Sequence, residues 1–161
     1  MMRLLTWAQR LLVLAFVLAA VAPAWAAEPV STSMFGSVAI GGKDTAAYHA
    51  DAVRLSHRAV QGDSQFEVKY LGATWRFASR ASADRFAADP AAYVPQYNGY
   101  CANALSTGEG LIRTDGEVWE FFGDKLYLFY AEAGRQRWLR GDWPAYRRDA
   151  ESAWRALQKT P

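Results

Sequence analysis

The chain has 161 residues, 52% hydrophobic and 14% aromatic, enough to bury one core and too little for two independent ones. Two of its 18 basic residues, Arg3 and Arg10, lie at the extreme N-terminus, and from residue 27 onward 16 basic residues face 16 acidic ones. With no net positive charge there and no basic run interleaved with aromatics, nucleic-acid binding and electrostatic attachment to a membrane surface have nothing to rest on.

Taken in chain order, the first segment carries Arg3 and Arg10, an apolar run from Leu11 to Val21, and the small-x-small triplet Ala24-Trp25-Ala26. This is the pattern of a cleavable signal peptide over residues 1–26. The apolar run is shorter than the ~20 residues a spanning helix needs, and Pro23 follows it, so the expectation is a periplasmic or secreted protein with no stable membrane anchor once the signal is removed. Residues 27–36 are polar and without periodicity, and read as a flexible lead-in. A single domain is expected over residues 37–158.

That domain opens with VAIGGKDTAAY, a short apolar piece, then Gly41-Gly42, then Asp44 in position to cap a helical turn. His49 and His57 follow in a stretch that reads as loop. Phe66 to Ser79 alternates about Leu71-Gly72 and predicts a hairpin with Val68 opposite Trp75, Phe66 opposite Phe77 and Glu67 opposite Arg76. Ser79 is placed to cap a short helix with Ala83, Phe86 and Ala87 on one side, ending before Pro90.

Asn98-Gly99 is a turn signal, which sets Cys101 just past a bend, at the start of a helix through Ser106. Glu117 to Tyr130 then predicts a second hairpin about Gly123-Asp124, with Phe121 opposite Leu126 and Trp119 opposite Leu128. A further helix runs through Trp138. From Asp142, with Pro144 in the first turn, Trp143, Tyr146, Ala150, Trp154 and Leu157 fall at helical spacing and predict an amphipathic C-terminal helix whose aromatic stripe is core packing. The fold class is therefore α+β: two antiparallel β-hairpins, each followed by a short helix, and a C-terminal amphipathic helix. The order of hairpin, helix and closing tyrosine occurs twice, as ADPAAY and GDWPAY, which raises an internal repeat against the alternative of chance similarity. Whether the hairpins share one sheet is open at this level.

The opening VAIGGKDTAAY, the hairpin TWRFAS, the helix ending ADPAAY, the segment PQYNGYCA and the hairpin with GDKLYL together resemble the secreted branch of the YHS-domain family. The resemblance covers nearly all of the chain after the signal, and it marks Asp44, Tyr48, Tyr97 and Tyr100 as family-like positions. Members associated with heavy-metal handling carry paired cysteines after the first hairpin. Here that stretch reads Phe77-Ala78-Ser79 and then Ala83, so the two-cysteine site the family would imply is missing.

The chemistry available centres on Cys101, the only cysteine. A lone thiol in an exported protein cannot join an internal disulfide, and is either a buried small hydrophobe or a reactive group. One reading makes it the soft ligand of a metal site with His49 or His57, a donor set that suits Cu(I). Three such residues are too few for a closed structural zinc site unless carboxylates join. A second reading is a thiol-redox or sensor protein that forms a mixed disulfide with a partner. A third is a cysteine nucleophile with a histidine base, and the plain alternative is a partner-binding module working through an aromatic surface. No CxxC, dinucleotide-binding glycine loop, GxSxG or HExxH is present, so the expectation leans away from an enzyme.

Overall fold

The computed structural model describes residues 29–159; the segment read as a signal peptide lies outside the described residues. Helix α1 spans Asp51–Ser56, β1 Asp63–Tyr70, β2 Ala73–Phe77, α2 Arg80–Ala88 and α3 Pro90–Tyr93. They are followed by α4 Ala102–Thr107, β3 Val118–Phe122, β4 Lys125–Phe129, α5 Glu132–Arg140 and α6 Trp143–Gln158. The strands form two separate two-stranded antiparallel sheets, β1 with β2 and β3 with β4, so the fold is α+β with each hairpin leading into helices. Among the described residues no helix is long and apolar enough to cross a membrane.

Both hairpins close on the two residues their alternation picks out. Glu67 faces Arg76 and Val68 faces Trp75, and in the second hairpin Trp119 faces Leu128 and Phe121 faces Leu126. Phe66 does not face Phe77 as the simple register requires: a bulge lets Asp63 take that place. Gly62 lies against the Arg76 backbone, where a Cβ would come within 2.5 Å of the carbonyl carbon, and this close approach bends the start of β1.

Two aromatic cores divide the interior. The first gathers Ile40, Tyr48, Trp75, Phe77, Phe86 and Trp119, the second Leu105, Phe122, Tyr127, Phe129, Trp138 and Ala150. Strand β4 serves both, because Leu126 and Leu128 point into the first and Tyr127 and Phe129, on its other face, into the second. Ser79 caps α2 through the Ser82 N–H, and α2 buries Ser82, Ala83 and Phe86; Ala87, expected on that face, is exposed. The α6 stripe packs on the second core through Trp143, Tyr146, Ala150 and Trp154, while Leu157 at its end reaches solvent.

The stretch read as a flexible lead-in is tied into the domain from its first described residues. Val30 and Ser31 are buried. The Ser31 N–H donates to the Asn98 carbonyl at 3.0 Å, its own carbonyl accepts from the Ile40 N–H at 2.8 Å, and its Oγ accepts from the Thr114 N–H at 2.9 Å. Paired backbone of this kind overrides a polar composition, which carries no information about such distant partners.

Candidate functional site around Cys101

Tyr97, Asn98 and Gly99 take left-handed backbone angles in succession, with φ of 57°, 50° and 82°. The chain can turn this tightly here because Gly99 has no side chain: a Cβ would lie 2.0 Å from Ile40 Cδ1. The turn sets Tyr100 in extended backbone and makes Cys101 the N-cap of α4. The thiol does the work of a capping oxygen, with Sγ accepting from the Ala104 N–H at 3.5 Å. It accepts a second N–H, from Tyr130 just after β4, at 3.3 Å, and the Cys101 N–H donates to the Ile112 carbonyl at 2.9 Å.

Cys101 is 4% exposed, yet it belongs to neither aromatic core. It lines an open cleft of about 190 Å³, together with Asn103, Glu109, Tyr130 and Gly134. Glu109 is the one carboxylate on that lining.

The two histidines sit elsewhere, against Trp119 and Phe121, which share one face of β3. His57, which ends α1 with φ of 52°, stacks on Trp119 with ring centroids 4.1 Å apart and bonds the Trp119 carbonyl through Nε2 at 2.8 Å. His49 meets the edges of Tyr93 and Phe121, and its Nε2 is buried without a hydrogen-bond partner. Burial, helped by the positive charges of Arg54 and Lys125, lowers the His49 pKa to about 4. Neither ring lines the Cys101 cleft. Among the described residues no group of three or more His, Cys, Asp and Glu is placed to hold a metal ion. The triad Cys101, His49 and His57 that composition offered is thus not drawn together.

The four other singled-out positions hold the fold. Asp44 is fully buried, and its carboxylate accepts the N–H of Ala47 at 2.8 Å, the N–H of Ala78 at 2.9 Å and the hydroxyl of Ser82 at 2.8 Å. Tyr48 stacks on Trp119 and donates its hydroxyl to the Gly116 carbonyl at 2.8 Å; burial raises its pKa above the ordinary tyrosine range. Burial does the same to Tyr97, whose hydroxyl donates to the Arg147 carbonyl at 3.4 Å. Tyr100 donates to the Val30 carbonyl at 3.5 Å. Tyr130 and Glu109, both at the cleft, carry no motif of their own; the alternation marks Tyr130 only as the last residue of the second predicted hairpin.

A hairpin whose last strand leads through a Ser-capped helix into a Pro-started turn, all held by one buried carboxylate, occupies the first half of the molecule. The YHS-domain family model matches residues 56–97. No curated protein and no solved structure gives a significant match. The matched span takes in His57, the first hairpin, α2 and α3, and ends at Tyr97, four positions before Cys101. The thiol therefore lies just outside the matched span, on the segment that the YHS domain runs into.

Proposed function

We propose that this YHS-domain protein is exported and handles a soft metal ion, Cu(I) being the best chemical match, through the thiol of Cys101. One observation carries the reading: the chain's only thiol lines an open cleft instead of pointing into either aromatic core. A soft sulfur ligand suits Cu(I), as it does zinc and iron–sulfur clusters, and a closed zinc or cluster site needs more protein ligands than this cleft offers. The cleft supplies Glu109 and no histidine, so the remaining ligand comes from outside, from a small thiol or from the protein that delivers or receives the metal. Such a site suits transfer better than storage, since a donor shared with a partner is released when the partner leaves. His49 and His57 are engaged with β3 and have no part in it.

The deciding experiment is an anaerobic Cu(I) titration of the reduced protein, residues 27–161, against a competing chelator, beside Cys101→Ala. Stoichiometric binding that disappears in the variant supports the reading. Equal weak binding in both rejects it, and leaves the second reading, a thiol that forms a mixed disulfide with a partner. That alternative draws on the Tyr130 ring, 70% exposed on the cleft, as apolar surface for a partner to cover. Incubation with an oxidised small-thiol disulfide and mass measurement then tests it directly.

A further inference from the structure

We infer that the chain is an internal duplication: the segment from Tyr97 to Tyr146 is a second YHS-type unit, and Cys101 stands in it where the first unit has Asp44.

The correspondence runs through backbone angles, register and hydrogen bonds. Ile40, Gly41 and Gly42 are left-handed in succession, with φ of 52°, 58° and 77°, as are Tyr97, Asn98 and Gly99. In each unit the next residue is extended and its N–H closes the turn, Lys43 to the Ile40 carbonyl and Tyr100 to the Tyr97 carbonyl, both at 3.0 Å. Asp44 and Cys101 come next. Their own N–H groups donate to Val60 and Ile112, both at 2.9 Å, and their side chains accept the N–H three residues on, from Ala47 and Ala104. Each side chain also accepts the first N–H after its hairpin, from Ala78 and Tyr130.

From the hairpin onward a constant offset of 52 superposes the two units. Tyr70 opposite Ala73 becomes Phe122 opposite Lys125, and Lys69 opposite Thr74 becomes Phe121 opposite Leu126. Helix α2, Arg80–Ala88, becomes α5, Glu132–Arg140. Phe86 packs on Trp75 and Phe77 with ring centroids 5.1 and 4.9 Å away; Trp138, at its equivalent, packs on Tyr127 and Phe129 at 5.4 and 5.6 Å. One residue more is inserted before the closing helical turn, which then carries Pro90 to Tyr93 into Trp143 to Tyr146. A β-branched residue at positive φ is costly, so its occurrence at Ile40, in register with Tyr97, marks an inherited backbone and not a local preference.

The equivalence explains why the thiol is open where the carboxylate is sealed. Ser82 places its hydroxyl on Asp44, and the residue at its equivalent is Gly134, which has no side chain and lines the Cys101 cleft. The sulfur thus occupies a staple position, built to receive two N–H groups, from which the third donor has been removed. This inference is independent of whether Cys101 binds metal.

Its test is the exchange that the equivalence dictates. Cys101→Asp offers one carboxylate oxygen to the Ala104 N–H and the other to the Tyr130 N–H, as Asp44 does for Ala47 and Ala78, whereas Cys101→Leu fills the same space and leaves both N–H groups unpaired. Cys101→Asp is expected to melt within ~4 °C of the parent and Cys101→Leu to fall by ~8 °C or more. A loss for Cys101→Asp equal to or beyond that of Cys101→Leu overturns the equivalence. Amide hydrogen exchange on the unaltered protein is the second measurement: the Ala104 and Tyr130 amides should be protected from exchange as those of Ala47 and Ala78 are, and free exchange at Ala104 and Tyr130 overturns the inference without any variant.

Discussion

The Tyr130 N–H donates to Cys101 Sγ at 3.3 Å, joining the residue that leaves the second hairpin to the residue that starts α4, 29 positions earlier. The sulfur is fixed by two N–H groups and Cys101 lines the cleft. Alkylation by a small reagent such as iodoacetamide should proceed on the native protein, but about tenfold or more slower than on the protein unfolded in urea, because access limits the rate. Ala133→Trp, an exposed position on the cleft lining, should slow it further without moving the melting temperature. Equal rates for native and unfolded protein would show that the thiol is not held in this cleft.

The Asp44 carboxylate ties the opening turn to the end of β2 and to α2. Asp44→Ala strands two N–H groups and a hydroxyl in a dry place, which costs about 3–4 kcal/mol in chemical denaturation; Ser82→Ala, which removes one of the three donors, costs about 1 kcal/mol. The two substitutions should be strongly non-additive, since the second partner is already lost in the first variant. Additive losses would remove the Asp44–Ser82 bond from the account.

Much of this frame was legible in local pattern. Hairpin turns, the Ser79 cap and the bend that sets Cys101 at a helix start follow from alternation and from residues that favour particular backbone angles, and those are short-range properties. The bulge between Asp63 and Glu67 was not legible, because the alternation from Phe66 onward carries no mark of it. Nor was the placement of the histidines: His49 and His57 are both governed by where β3 packs, a contact more than 60 residues distant in sequence. For the same reason the polar lead-in concealed Ser31, whose partners Asn98 and Thr114 lie far along the chain.

Acid should weaken the fold through His49. Its pKa is about 4 when folded and about 6.5 when unfolded, so the unfolded chain takes up the proton first. The stability it contributes is present in full above pH 6.5, is lost as pH falls from 6.5 towards 4, and levels off below that. Arg54 and Lys125 face the ring as cations and Tyr93 and Phe121 as aromatic edges, and none of these offers the imidazolium a counter-charge. Allowing for the ring's partial contact with water, the loss is about 1–2 kcal/mol. His49→Phe should flatten the difference between urea midpoints at pH 7.5 and 4.5 by that amount. A variant that loses as much as the parent would place the acid sensitivity elsewhere.

Gly99 tests the contact between the two left-handed turns. Gly72 and Gly108 also have positive φ, of 73° and 78°, but a Cβ on either meets nothing within 4 Å, so alanine there costs only the backbone term of about 1 kcal/mol. At Gly99 the same backbone term is joined by a Cβ 2.0 Å from Ile40 Cδ1, with Leu128 Cδ1 behind it at 3.4 Å. Gly99→Ala should therefore destabilise by about 3 kcal/mol or more, the upper range for forcing extra volume into a packed core. Because one methyl group is the obstacle, Ile40→Val trims it away at a cost of about 1 kcal/mol alone and should recover part of the Gly99→Ala loss in combination. The recovery, measured as a coupling in a double-mutant cycle by urea denaturation, is what separates a steric contact between the turns from a purely local backbone effect: a coupling of zero would mean that Gly99 is required for its own angles alone.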